Sequence, residues 1–318
     1  MKKMICVLLT MIMMMSLFAG CGAKADDGVI KVAIVQQLDH SSLDEIRAAI
    51  EAELTAAGIE FKVFNGQNDA STLNQIGAQV VSDGYDAIVP IATLAAQCMV
   101  TAADSKNIPI VYAACSDPAS AGLTGMANVT GTSDALNTRF IIDMMLAANP
   151  DISCVGLLYS NSEINSETPI AEAKAYLDEK GISYLEKTGN AADEVITAAN
   201  ALVGRCDAVF TPTDNAIMNV AGAVAEILNG AGIPHYAGAD SFVTAGSFAT
   251  CGVNYTELGS YTGKMVVDIL NGGAVPEFHV MDGGIITVNT DTAATLDLDY
   301  TAFNSMANTV LAVSTIAD

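Results

Sequence analysis

The sequence predicts an α/β protein made of two doubly wound parallel-sheet lobes joined by a multi-segment hinge. Apolar runs of strand length alternate with segments of helical periodicity, which is the order of a parallel sheet with helices on both faces. The alternation occurs twice along the chain. A length of 318 residues, of which 51% are hydrophobic, is enough for two cores. Only 15% of the residues are charged, which argues against disorder.

The first half of the chain predicts four strands and three helices. A capping-box pattern formed by Ser42 and Glu45 opens the first helix, and Gly58 ends it. We expect strands at 29–35, 60–64, 87–92 and 108–114, and helices at 43–57, 71–81 and 95–103.

The second half repeats this order. Short landmarks recur in sequence: 58–59 matches 181–182, 86–89 matches 207–210, and 108–109 matches 233–234. Either the two halves are similar lobes, or both follow the alternation of strands and helices that is common to α/β folds. Two lobes are expected in either case. We expect strands at 155–159, from 181, at 208–211 and at 234–237, with helices at 170–179, 192–203 and 216–228.

The remaining segments are expected to link the lobes. If the helix predicted at 257–270 packs on the first lobe, the chain crosses between lobes three times and forms a hinge. The predicted lobes are therefore 29–131 plus 254–275, and 132–253 plus 276–318. The linking segments are a β-rich stretch at 128–133 before a helix at 136–147, and strands at 246–254 and 284–288 on either side of the helix at 257–270. Beyond residue 290 we expect only a loop and a helix at about 300–313.

The N-terminus has the pattern of a secretory signal peptide. Lys2 and Lys3 precede an uncharged run at 4–18, which is short for a spanning helix and ends at a cleavage-like site of small residues. The run from Phe18 to Cys21 resembles a bacterial lipobox, with Phe18 where leucine is usual. We expect cleavage before Cys21, lipidation of Cys21, and a lipidated tether at 21–28. The alternative is an N-terminal anchor that is not cleaved.

Composition narrows the classes of function. The 36 acidic residues outnumber the 13 basic ones, and a net charge of −23 excludes ordinary nucleic-acid binding.

Five of the seven cysteines lie beyond Cys21, three of them in or just before apolar segments, as small buried hydrophobes do; a disulfide stays open. The three histidines have no metal-ligand spacing, so we expect neither a metal nor a cofactor. The chain has no GxSxG, HExxH or P-loop pattern, which argues against an enzyme.

The loops after the predicted strands are rich in polar residues. In such folds ligands bind beyond the carboxyl ends of the strands, so we expect a ligand between the lobes. Helix capping is the alternative explanation for any single residue. Glutamine is a poor cap, and Gln36, Gln37 and Gln97 therefore favour ligand recognition. His40 is either a turn residue or a ligand contact.

Six stretches carry a specific family resemblance. They are IATLAAQ (91–97), ACSDPASAGL (114–123), NVTGTSD (128–134), LLYSNSEINS (157–166), TPTDNAI (211–217) and GVNYTELGSYTGKM (252–265). In this order they resemble the tryptophan/tyrosine-type lipoprotein substrate-binding components of ABC importers, over roughly residues 30–290. Leu94 stands where this family often has proline, and Ser116 where it often has threonine.

The resemblance implies a type I periplasmic-binding-protein fold and a transport function. The expected ligand is a small, amino acid-like molecule, an aromatic one such as tyrosine or tryptophan. The protein would deliver it to an ABC permease and its ATPase. The protein would be a monomer, lipid-anchored to the outer side of a bacterial cell membrane, with no nucleic-acid partner. The alternative is a ligand-binding surface sensor or adhesin. A sensor would usually carry a DNA-binding, transmembrane or signalling domain, and residues 290–318 predict only a loop and a helix.

An amino-acid ligand needs donors for its carboxylate and acceptors for its ammonium. We expect the carboxylate at Thr93 and the backbone N–H groups around Ala95 and Ala96, where a helix begins, with Ser116 adding a hydroxyl. The ammonium would face Asp240 or Asp214, and Gln37 would meet the ligand's side chain. The remaining predicted contacts are Gln97, Asp117, Asn161, Asn165 and Asn215.

Overall fold

The computed structural model describes residues 29–316. The predicted signal peptide, the tether and Cys21 lie outside the described residues. Between 29 and 316, no helix is both long enough and apolar enough to cross a membrane.

The first sheet has six parallel strands in the order β11-β5-β4-β3-β1-β2. Strand β1 is buried on both faces, because Val32 and Ile34 join one cluster of apolar side chains while Ala33 and Val35 join another. Helices α1 and α10 cover the first of these faces, and α2 and α3 cover the second. The strands are β1 (Lys31–Gln36), β2 (Glu60–Asn65), β3 (Ala87–Ile91), β4 (Ile110–Tyr112), β5 (Val129–Ser133) and β11 (His279–Val280), and the helices are α1 (Ser41–Ala56), α2 (Ala70–Asp83), α3 (Thr93–Ala102) and α10 (Tyr255–Leu270).

The second sheet has seven strands in the order β13-β12-β10-β9-β8-β6-β7. Only the β10–β12 pair is antiparallel among these described strands. The strands are β6 (Cys154–Tyr159), β7 (Ser183–Thr188), β8 (Ala208–Thr211), β9 (His235–Ala237), β10 (Ala249–Gly252), β12 (Ile285–Asn289) and β13 (Thr309–Val313). The helices are α4 (Thr138–Ala148), α5 (Glu167–Lys180), α6 (Ala192–Asn200), α7 (Asn215–Met218), α8 (Ala221–Gly230), α9 (Asp240–Thr244) and α11 (Thr290–Leu296), with 3₁₀ turns at Ile164–Ser166 and Thr301–Ser305.

The predicted fold class, two parallel-sheet lobes, is confirmed. Helix α10 packs closely against α1 of the first lobe: a Cβ atom on Gly259 would collide with the backbone carbonyl of Ile46. Since α10 follows the second sheet's β10 and precedes the first sheet's β11, the chain passes between the sheets three times. The three crossings are 134–137, 253–254 and 281–284.

The structure differs from the predicted elements mainly near the C-terminus. The helix expected at about 300–313 is wrong: a 3₁₀ turn is followed by β13, which pairs in parallel with β12. Strand β11 pairs with β5, so residues 279–280 extend the first sheet although they were expected in the second lobe. The single helix expected at 216–228 is two helices, because the backbone leaves helical geometry at Val220.

Candidate ligand-binding cleft

The carboxyl ends of strands from both sheets meet at one cleft. The cavity that remains between the lobes is small, about 30 Å³. The second lobe contributes Asn165, Thr213, Asp214, Asn215, Met218, Ala239, Ser241 and Phe242, and the first lobe and hinge contribute His40, Ser42, Leu43, Ala92, Thr93, Ala114, Ser116, Asp134 and Tyr255.

Side-chain hydrogen bonds join the two lobes across the cleft. The Ser42 hydroxyl donates to Asp240 Oδ1 at 2.7 Å. The hydroxyls of Ser116 and Thr213 lie 2.9 Å apart. Near the rim, the Thr168 hydroxyl of α5 donates to Asp117 Oδ2 at 2.7 Å. The lobes are therefore apposed, and a ligand in the cleft contacts both.

Two alanines at the first lobe's strand ends have strained backbones. Ala92 has φ 75° and ψ 163°, and Ala114 has φ 53°. A residue with a Cβ atom pays about 1–3 kcal/mol for such a conformation, and this strain concentrates at functional sites. At Ala92 it turns the chain directly into α3, so that the N-terminus of this helix and Thr93 face the cleft. The partial positive charge of a helix N-terminus suits an anion.

Asp134 and Asp214 are the two carboxylates that line the cleft in the described part of the chain. Asp134 is 5% exposed; its Oδ1 accepts from Ser116 Oγ at 2.9 Å, and Tyr255 Oη lies 3.4 Å from its Oδ2. Burial raises the pKa of Asp134, although both hydroxyls oppose the shift.

Both carboxylate oxygens of Asp214 accept hydrogen bonds from groups of its own lobe. Its Oδ2 accepts from the backbone N–H of Ser160 at 2.6 Å and the hydroxyl of Ser166 at 2.7 Å, and its Oδ1 accepts from the N–H of Ile217 at 3.1 Å. These bonds cap α7 and fix the loop after β6. Asp214 therefore shapes the cleft wall with both oxygens already accepting.

Glu163 is a third buried acid, and it lies behind the cleft wall. Its Oε1 accepts from Gln37 Nε2 of the first lobe at 3.2 Å, and its Oε2 accepts from Asn215 Nδ2 at 3.2 Å. Burial, followed by repulsion from Asp214, raises the pKa of Glu163 to about 7.

The rest of the lining is apolar or neutral. Phe242, Tyr255 and Met218 supply large apolar surfaces. Burial lowers the pKa of His40 to about 4, so its ring is neutral at pH 7. Its Nδ1 and the Oγ of Ser241 are buried without a hydrogen-bond partner in the described structure. Unpaired buried polar atoms at a cleft are positions where a ligand's polar groups can bind.

The predicted contact residues divide into two groups. Thr93, Ser116, Asn165, Asp214 and Asn215 line the cleft. The other predicted residues lie beside the cleft or behind it. They are Gln37 (hydrogen-bonded to the Leu94 N–H, Asn68 and Glu163), Ala95 and Ala96 (buried in α3), Gln97 (donating to the Ala121 carbonyl), Asp117 and Asp240 (both in cross-lobe bonds) and the exposed Asn161.

Several lining residues were missed. Asp134, Thr213 and Tyr255 all stand inside motifs that carried the family resemblance, so motif membership was a usable signal. Phe242 and Ser241 follow β9 in the short helix α9, which the sequence did not indicate. The N–H of Ala96, expected to bind a carboxylate, instead donates to the carbonyl of Ala92 at 3.1 Å.

Comparison with known proteins identifies relatives that share this architecture. A "Tyrosine-binding protein" of Clostridioides difficile is 30% identical over 322 residues, covering 93% of each chain. Among solved structures, the "ABC domain in complex with L-Trp" of Streptococcus pneumonia has a TM-score of 0.83 at 29% identity, covering 89% of this chain and 100% of its own. An ABC sugar transporter subunit of Rhodobacter sphaeroides shares only the fold, at 15% identity, with a TM-score of 0.64 and coverage of 81% of this chain and 98% of its own.

A third solved structure bears on conformation. It is the ligand-free, open form of a substrate-binding protein with adhesive properties from Clostridium difficile, 31% identical, with a TM-score of 0.68 and coverage of 91% of this chain and 100% of its own. At nearly equal identity, the present structure is closer to the L-Trp complex, in agreement with its apposed lobes. The model of a family described as ABC transporter substrate-binding proteins matches residues 31–308, and the chain belongs to this family.

Proposed function

We propose that this ABC transporter substrate-binding protein binds an aromatic amino acid, tyrosine or tryptophan, between its lobes and delivers it to a permease and its ATPase. The observation that carries the proposal is the composition of the cleft. Phe242, Tyr255 and Met218 offer an apolar surface, while the N-terminus of α3 and the buried Asp134 offer opposite charges. The tyrosine-binding relative and the L-Trp complex support the same ligand class.

The two charged ends of an amino acid fit different sides of the cleft. The carboxylate would lie at the first turn of α3, near the hydroxyl of Thr93, where the helix dipole favours an anion. The aromatic ring would pack against the apolar wall. His40 Nδ1 and Ser241 Oγ, both without partners among the described residues, would bind a polar group such as a phenol hydroxyl or an indole N–H.

Thermal-shift measurements with each of the twenty amino acids, followed by calorimetry, test the ligand class. At a hundredfold excess over Kd, binding stabilises the protein by about 2.7 kcal/mol. We therefore expect tyrosine or tryptophan to raise Tm by several degrees, since about 2–4 °C per kcal/mol is typical of domains of 150–250 residues. D-Tyrosine is the matched control. If only aliphatic amino acids raise Tm, the aromatic assignment is wrong. If none of the twenty amino acids raises Tm, the ligand is not an amino acid.

Anchoring at the membrane through Cys21 is part of the same proposal. The signal-like segment and the run ending at Cys21 support it. Each buried methylene of an acyl chain contributes about 0.8 kcal/mol, so several chains hold a protein durably. We expect Cys21→Ser to move the protein out of the membrane fraction or to leave the signal attached. Mass spectrometry showing a native chain without acyl groups would contradict the anchor. We propose a monomer.

Adhesion is a second candidate function, and one observation favours it. The structural neighbour from Clostridium difficile, matched at 31% identity, is described as having adhesive properties. If this chain is an adhesin, added purified protein should compete with the attachment of bacteria that display it. Undiminished attachment would count against this role and leave the transport function untouched.

A further inference from the structure

We infer that Asp134 accepts the ligand's α-ammonium, and that ammonium recognition is therefore built into the hinge. The inference deepens the proposed function and rests on it. It differs from the expectation from sequence, which placed the ammonium at Asp240 or Asp214.

The position of Asp134 in the fold is the first observation. Asp134 follows β5 directly and begins the first crossing between the lobes. Its partner Tyr255 begins α10 directly after the second crossing, with Oη 3.4 Å from Asp134 Oδ2. A cation bound at Asp134 therefore lies at the first crossing, beside the residue that follows the second crossing.

The remaining acceptor capacity of Asp134 is the second observation. An ionised carboxylate has about four acceptor sites. Asp134 receives one bond of good length, from Ser116, and a long contact from Tyr255. Asp214 already accepts from three donors. Asp240 accepts from Ser42 and lies outside the cleft lining. Of the acids that line the cleft in the described structure, Asp134 thus keeps the most free acceptor sites.

Charge balance gives a third argument. A buried carboxylate needs a cationic partner to stay ionised at low cost. Neither lysine nor arginine lines the cleft in the part of the chain that the structure describes, and His40 is neutral at pH 7. Burial raises the pKa of Asp134, because it disfavours the charged carboxylate. An ammonium group supplies that cation, whereas a ligand without one leaves the carboxylate unpaired.

The hydrogen-bond directions connect this site to the opposite lobe. Ser116 Oγ has one proton, which it donates to Asp134, so the 2.9 Å contact with Thr213 requires the Thr213 hydroxyl to donate to Ser116. The chain Thr213–Ser116–Asp134 thus runs from the second lobe to the hinge. An ionised Asp134 polarises both hydroxyls and strengthens the cross-lobe bond. Ammonium binding and lobe closure are therefore coupled through three side chains.

The test compares ligands with and without the ammonium group. Calorimetry would use L-tryptophan and L-tyrosine beside their desamino analogues, 3-indolepropionate and 3-(4-hydroxyphenyl)propionate, on wild type, Asp134→Asn and Asp240→Asn. A charge-assisted hydrogen bond contributes about 1.5–3 kcal/mol, which is about 10- to 150-fold in Kd. We expect Asp134→Asn to lose affinity for the amino acid in this range and to bind the desamino analogue as well as or better than wild type. Asp240→Asn should change amino-acid affinity by less than about threefold, well below that range.

Each contrary result has a distinct meaning. Equal losses for both ligands in Asp134→Asn would make Asp134 merely structural and overturn the inference. A selective loss in Asp240→Asn with unchanged binding in Asp134→Asn would move the ammonium to Asp240. If Asp134→Asn does not fold, wild type decides: it should prefer the amino acid to its desamino analogue at least about tenfold, and equal affinity would overturn the inference. If wild type binds neither L-tryptophan nor L-tyrosine, the proposed function itself is overturned, whatever the role of Asp134.

Discussion

Replacing Glu163 with glutamine should stabilise the protein above pH 7 and have little effect near pH 4.5. The folded protein raises the pKa of Glu163 from 4.5 to about 7, through burial and then the charge of Asp214. The folded state therefore binds a proton that the unfolded state releases. The stabilisation is fully present below pH 4.5 and is lost as the pH rises through about 7. At about 1.4 kcal/mol per pKa unit, its full extent is about 3 kcal/mol.

Glutamine imitates the protonated acid. Its carbonyl can accept from Gln37 Nε2, and its amide can donate to Asn215 once the Asn215 amide rotates to present its oxygen. Urea unfolding at pH 5, 6, 7 and 8 would measure the difference in unfolding free energy between variant and wild type. We expect this difference to grow with pH and to level off above 7.

A control on the surface separates this effect from general charge reduction. The chain carries a net charge of −23, so removing any acid lowers self-repulsion. Glu172→Gln lies on the exposed side of α5 and should give a small difference at all four pH values. If Glu163→Gln also shows no growth between pH 5 and pH 8, Glu163 is ionised in the fold at pH 7 and the argument from burial is wrong.

The sequence predicted those parts of the fold that depend on local pattern. Buried parallel strands such as 87–91 are continuous apolar runs, and helices α2 and α5 end at glycines, so order and type could be read directly. The C-terminal strand could not, because Thr309–Val313 is a mostly exposed edge strand whose pairing with β12 depends on tertiary structure. Position 220 likewise continues an apolar helical pattern and leaves the helix only in three dimensions.

The site was predictable by region and less so by residue. Parallel strands place their following loops at one edge, and five of the predicted contacts line the cleft there. Sequence does not reveal how many donors already surround a carboxylate. Asp214 and Asp134 both follow strand ends, yet Asp214 accepts three bonds from its own lobe, whereas Asp134 accepts one bond of good length and keeps more free acceptor sites. Gln97 looked suited to recognition, but its amide supports the Ala121 carbonyl.

Replacing Asp214 with alanine should cost more stability than ligand affinity. Asp214 is fully buried, and its loss leaves the Ser160 and Ile217 N–H groups and the Ser166 hydroxyl without their acceptor. A buried donor left unpaired costs about 1–3 kcal/mol, so the three together should lower the unfolding free energy by more than about 3 kcal/mol. The free carboxylate at Asp134 remains, so folded Asp214→Ala should keep affinity for the amino acid within about tenfold, or about 1.4 kcal/mol.

Asp69 provides the matched control, because it caps α2 as Asp214 caps α7 but is exposed. Its side chain accepts from the Thr72 N–H at 2.7 Å, and Asp69→Ala should cost only about 0.5–2 kcal/mol. Urea unfolding of both variants, with calorimetry below the unfolding transition, separates the two roles. Equal stability of the two variants together with a collapse of amino-acid binding in Asp214→Ala would make Asp214 the ammonium acceptor after all. A large loss of stability with binding retained would fix Asp214 as the group that holds the second lobe's wall in place while Asp134 binds the charge.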